Sequence, residues 1–174
     1  GGSVELMCAN NDIKVYGYDK FKPLVHFWNC LIKRPDELAR LVAGWWSTGT
    51  NGLSEEFEDR KEYRKLKAEL LSPKQSQLER AALFYVINRT SFSGSALSGG
   101  VTAGNPRFTE SSIQRILDFK GVNDTENITV ECLDFTKSIE KNKQKLMYLD
   151  PPYWLKSKLY GEKGDLNFQE EDHL

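Results

Sequence analysis

Lys145-Leu146-Met147-Tyr148-Leu149-Asp150-Pro151-Pro152-Tyr153 is an apolar run that ends on a carboxylate and then on two prolines. Its strand-forming residues predict a strand over Lys145 to Leu149. Asp150 is then delivered to a strand's carboxyl end, the place where open α/β sheets bind ligands. Pro151 and Pro152 fix φ and bring no amide hydrogens, so their carbonyls can face a ligand instead of joining a sheet. Read as structure alone, the stretch is a strand closed by a rigid turn.

Working back from it, Ile128 to Cys132 predicts another strand, followed by Asp134-Phe135, and Thr109 is placed to cap a helix from Glu110 to Phe119. Ser91 to Gly104 is rich in serine, threonine and glycine, a composition that points to an exposed loop. Ser76-Gln77-Leu78-Glu79 has the form of a capping box and opens an apolar helix that runs to Asn88-Arg89. Glu55 to Leu71 is so charged that a solvated helix or a DNA-facing surface suits it; Arg60, Lys61, Arg64, Lys65 and Lys67 could track phosphates, but acids interleave with them and favour the solvated helix. Between Pro23 and Trp46 the apolar spacing predicts two helices, with Pro35 opening the second and Trp45-Trp46 read as core, although exposed aromatics can stack bases. His26, beside Phe27 and Trp28, reads as a packed or surface histidine. Ile13 to Asp19 alternates into a strand ending on a carboxylate, and Ser3 to Ala9 reads as a short helix after a glycine turn. Strands and helices at both ends, with a helical and loop-rich middle, predict an α/β sheet interrupted by an insertion of roughly 80 residues.

The chain's 174 residues, 39% hydrophobic and 11% aromatic, suffice for one sizeable core and a small appended lobe. Its 24 basic and 25 acidic side chains nearly cancel, so any nucleic-acid contact must come from a local patch. Cys8, Cys30 and Cys132 are odd in number and widely spaced, which suits neither a disulfide framework nor a CxxC-type zinc site and fits a reducing cytoplasm. The apolar run Ala81 to Ile87 is too short to span a bilayer, and the expectation is a protein without membrane contact. An opening of Gly1-Gly2-Ser3 without methionine, and an end on what looks like a helix's first turn, read as an internal piece of something longer.

Asp150-Pro151-Pro152-Tyr153 after an apolar strand resembles the catalytic motif of amino-group DNA methyltransferases. Three further features occur in that family's order. Gly1-Gly2-Ser3-Val4-Glu5-Leu6 resembles the end of its glycine-rich cofactor loop, Asp19 its ribose-binding acid, and Asp134-Phe135 its site for the cofactor's adenine. Asn88-Arg89-Thr90-Ser91-Phe92-Ser93-Gly94 is similar to the Asn-Arg-x-x-Phe-x-Gly signature of the deoxyadenosine methyltransferase (Dam-like) group. Tyr160, Phe168 and Asp172-His173 follow its downstream spacing.

The resemblance implies an incomplete Rossmann-like methyltransferase sheet with an inserted helical, loop-rich target-recognition lobe. Residues 1–40 and 121–174 would belong to the catalytic domain and residues 41–120 to the lobe. It implies methyl transfer from S-adenosylmethionine to the N6 nitrogen of adenine in double-stranded DNA, by a cytoplasmic monomer that uses no metal. Asp150, Pro151, Pro152 and Tyr153 would act on the flipped base. Gly1, Gly2, Ser3, Asp19, Asp134 and Phe135 would hold the cofactor, while Asn88, Arg89, Phe92 and Ser93 would meet DNA. Two other readings are a DNA-binding remnant without turnover and an amino methyltransferase acting on cytosine.

The family's upstream Pro-Tyr-x-Gly-Gly-Lys-like segment and later strands have no counterpart here. Ser93-Gly94-Ser95-Ala96-Leu97 stands where GATC-specific members have Asn-Gly-x-x-Arg. Arginine is the usual bidentate reader of guanine, so GATC specificity does not carry over.

Overall fold

The computed structural model describes residues 3–47, 60–94, 96–97, 100, 107–122 and 124–150. In chain order its elements are helix α1 (Ser3–Ala9), strand β1 (Val15–Asp19), and helices α2 (Lys22–Lys33), α3 (Pro35–Ser47), α4 (Arg60–Leu71), α5 (Gln77–Thr90) and α6 (Glu110–Val122), followed by strand β2 (Ile128–Cys132) and helix α7 (Phe135–Lys141). β1 and β2 pair in parallel, from Val15 opposite Ile128 to Asp19 opposite Cys132. The described residues thus form a mixed α/β fold in which the helical segment is inserted between two neighbouring strands.

α5 organises the core. Its capping box forms as the sequence predicts, with Glu79 N–H donating to Ser76 Oγ at 3.2 Å and Ser76 N–H donating to Glu79 Oε2 at 2.8 Å. Arg80 to Ile87 are all buried, so the helix shows no solvent face over two turns and other helices must surround it. α2, α3 and α4 do so. Phe84 meets Phe21 and Phe27 at ring-centroid distances of 5.8 and 5.7 Å, Phe27 stacks on Tyr85, and Leu83 lies with Leu38 and Val42 in the same cluster.

Burial obliges polar groups to find partners inside. Arg80 donates through Nε to the Leu70 carbonyl at 3.2 Å and through Nη2 to the Ser72 carbonyl at 2.6 Å, closing the carboxyl end of α4. The Tyr85 hydroxyl donates to the Ser112 carbonyl at 2.6 Å. Asn29 on α2 donates to the Val130 carbonyl at 3.0 Å and ties the helical layer to β2. The core runs without a break from Phe21 to Ile116, and α3 spans the expected boundary between residues 40 and 41.

Three local expectations need correction. α4 is no fully solvated helix, because Tyr63, Leu66 and Leu70 form a buried stripe beneath its charges; that apolar spacing is narrow and the surrounding lysines and glutamates mask it. Residues 55–59 of the expected helix lie outside the described residues. The strand expected over Lys145 to Leu149 joins no described ladder, and Leu146, Tyr148 and Leu149 are exposed. Side chains suited to a pleated surface make a strand only when a neighbour completes the backbone hydrogen bonds, and the described sheet holds β1 and β2 alone. Its start does lie beside β1, with Lys145 Nζ 4.4 Å from the centre of the Tyr16 ring. Finally, the loop after α5 is tucked in at Ser91, Ala96 and Leu97. Among the described residues no helix is long and apolar enough to cross a membrane.

Candidate active site

Parallel pairing brings two carboxylates to one edge of the sheet. Asp19 ends β1 opposite Cys132, which ends β2, and Asp134 follows two residues later. Asp19 Oδ1 accepts the Phe21 N–H at 2.6 Å, which turns the chain into α2. Burial pushes the Asp19 carboxyl above the usual carboxylate range, and that N–H offsets part of the effect. Asp134 is the N-cap of α7. Its Oδ1 accepts from the Thr136 hydroxyl at 2.7 Å and the Thr136 N–H at 3.0 Å, while Oδ2 lies 3.3 Å from Lys20 Nζ. The Thr136 hydroxyl above all, with the Thr136 N–H and Lys20, holds this carboxyl below its ordinary value. Two neighbouring acids are therefore biased in opposite directions by their surroundings.

Phe135, half-buried, opens α7 directly after Asp134, and Ser3 opens α1 in an exposed position. Gly1, Gly2, Pro151, Pro152 and Tyr153 lie outside the described residues. Asp150 is exposed at the end of the extended 146–150 stretch. The structure thus assembles Asp19, Asp134 and Phe135 at one sheet edge. No described hydrogen bond or ion pair links Asp150 to them. Lys20 is an addition that sequence reading missed; its signal is a cation directly after a strand-end acid. Among the described residues no cluster of three or more His, Cys, Asp or Glu could hold a metal ion.

A second constellation follows α5. Asn88 Nδ2 donates to the Gly94 carbonyl at 2.8 Å, and the Arg89 guanidinium sits 5.2 Å from the centre of the Tyr85 ring. Phe92 begins a short 3-10 turn, Phe92–Gly94, and is 67% exposed. Ser93 lies within that turn, with its side chain outside the described set. Leu97 packs against the core and its carbonyl accepts from Lys67 Nζ at 2.6 Å, so this residue faces inward.

The family model of the D12 class N6 adenine-specific DNA methyltransferase matches the chain over residues 1–174. This chain belongs to that family. No curated protein matches it in sequence. The methyltransferase match spans both the strand-end acids and the loop after α5, so neither constellation belongs to an unrelated appendage. Pro151, Pro152 and Tyr153 belong to the matched methyltransferase span as well.

Proposed function

We propose that the chain carries the cofactor acids, catalytic motif and recognition loop of an enzyme that methylates the N6 nitrogen of adenine in double-stranded DNA, with S-adenosylmethionine as donor. Residues 1–40 and 121–174 serve the chemistry and residues 41–120 serve recognition. The observation that carries this reading is that Asp19, the last residue of β1, and Asp134, two residues beyond the end of β2, follow the same end of a parallel strand pair, in a chain that belongs to an adenine methyltransferase family. The donor set suits a nucleoside. Asp19, with Oδ1 already engaged by Phe21, presents Oδ2 to ribose hydroxyls. Asp134 Oδ2 takes the adenine amino group when Lys20 swings aside, and Phe135 covers the ring face. Gly1, Gly2 and Ser3 let the backbone approach the methionine part.

S-adenosylmethionine supplies an electrophilic methyl carbon on a sulfonium. The target nitrogen is a poor nucleophile because its lone pair is delocalised into the purine. The Asp150 carboxylate and the Pro151 carbonyl accept its two hydrogens and localise that pair, Pro152 stiffens the turn, and Tyr153 stacks on the flipped base. Arg89, Phe92 and Ser93 face the duplex around the target.

Single-turnover transfer of labelled methyl to an adenine-containing duplex by the full-length protein tests the reading. Asp150→Ala should slow transfer by ~10²–10³-fold while cofactor binding survives, and Asp150→Asn, which keeps an acceptor oxygen, should fall between. An Ala variant at the parental rate would remove Asp150 from the mechanism. Transfer to duplexes built only of G·C pairs would replace adenine by cytosine as the target.

A further inference from the structure

Arg107 has no place in the motifs of the resemblance, yet it stands at the junction of the loop that carries Phe92. Its Nη2 donates to the Asn88 carbonyl at 3.2 Å, which also accepts the Ser91 hydroxyl at 3.2 Å, and to the carbonyl of Ser91, the residue that caps α5. The same guanidinium lies against Gly94. A Cβ built on Gly94 would come within 3.2 Å of Arg107 Nη1 and 3.3 Å of Asn88 Nδ2, tight against both groups, and the φ of +77° at Gly94 favours glycine. Asn88 Nδ2 meanwhile holds the Gly94 carbonyl. Phe92 N–H donates to the Gly100 carbonyl at 2.9 Å, and Gly94 N–H to the Ser91 carbonyl at 3.3 Å.

The outcome is a tight turn whose backbone is fastened on both sides while its one large apolar side chain stands 67% exposed. An exposed phenylalanine on a fastened turn has lost little freedom still to be lost on binding, which favours insertion against a stacked base step.

We infer that Arg107 is a positioning residue: with Asn88 and Gly94 it forms a clasp that presents Phe92 to the DNA duplex. The inference rests on the reading of this loop as the DNA-recognition segment. It also reassigns Asn88, whose amide is spent on Gly94 and not on a base edge. The competing role for Arg107 is a direct phosphate contact, and the two differ in what lysine can replace. A phosphate accepts a point charge, whereas the clasp needs the longer reach of arginine, whose Nη2 bonds both carbonyls while Nη1 lies against Gly94.

The test has two arms in the full-length protein. Hydrogen exchange without DNA reads the clasp alone: Arg107→Ala and Arg107→Lys should both speed exchange of the Phe92 and Gly94 amides by roughly tenfold or more. Unchanged exchange in Arg107→Ala would overturn the clasp whatever the loop does. Affinity for cognate and unrelated duplexes reads the consequence. Phe92→Ala should weaken cognate binding by roughly tenfold, Arg107→Ala and Arg107→Lys by a similar factor, and Arg107→Ala should add nothing once Phe92 is already Ala. If Arg107→Lys binds as the parent does, or Arg107→Ala weakens binding equally with and without Phe92, Arg107 is a phosphate contact and the inference fails. If Phe92→Ala leaves duplex binding intact while the exchange arm behaves as expected, the clasp stands and the recognition role of the loop falls.

Discussion

The surroundings of α5 and the carboxyl edge of the two-stranded sheet treat polar groups in opposite ways. Around α5 strong donors turn inward and are satisfied by backbone outside the helix: Arg80 by the Leu70 and Ser72 carbonyls and Tyr85 by the Ser112 carbonyl. At the sheet edge Asp19 and Asp134 are held by residues one or two positions away, or by the half-exposed Lys20. Inward networks confer stability. Locally held carboxylates contribute little to the fold, and under the proposed function they serve the cofactor. Substitutions in the two regions should therefore separate melting from binding.

The largest effect belongs to the core. Leu83→Ala, at a position 1% exposed, should cost about 2–5 kcal/mol in urea unfolding. A loss below 1 kcal/mol would mean that the helices around α5 close the cavity without strain. Next comes Arg80→Met, which keeps much of the packing volume but deprives the Leu70 and Ser72 carbonyls of the guanidinium that donates to them, and should cost about 1.5–3 kcal/mol. Asp134→Ala removes the cap of α7, which is worth about 1 kcal/mol by thermal melting. Its larger effect should be on titration with S-adenosylmethionine; a variant that binds as the parent does would leave Asp134 a cap and nothing more.

The smallest stability effect should have the opposite sign. The Asp19 carboxyl is raised by burial, so the folded state resists its charge. That cost is absent when the group is protonated in both states and accrues as pH climbs through the ordinary carboxylate range. Asp19→Asn should thus melt slightly above the parent at pH 7, and the gain should shrink as pH approaches 4. Asp134 is lowered, so its contribution is present at neutral pH and fades in acid. If melting curves of both variants moved in the same sense with pH, the contrast between the two acids would be broken.

Much of the helical framework was legible in the sequence, because local chemistry determines it. The Ser76–Glu79 box, Pro35 at a helix start, and Thr109 accepting the Ser112 N–H at 3.2 Å depend only on near neighbours. What escaped depends on partners far along the chain. The stripe Tyr63, Leu66 and Leu70 becomes apolar surface only against α5, and Lys145 to Leu149 needs a ladder that composition cannot supply. At the site, the order of acids was readable, whereas the Lys20–Asp134 pair and the Arg107 bridge were not, since no spacing rule joins an arginine to a helix end nineteen residues away.

The register of the two strands bears on how such a protein forms and varies. Val15 and Ile128 pair across more than a hundred residues of intervening chain, while the contacts within the helices are short in sequence. Nonlocal pairs close late, so the acidic edge should assemble after the helical insert has condensed. The entropy of closing such a loop grows only with the logarithm of its length. Segments between the strands can then lengthen, shorten or be exchanged at small thermodynamic cost, while the parallel pair continues to deliver Asp19 and Asp134 side by side. A chain wired in this manner can acquire a new recognition loop without rebuilding its chemistry.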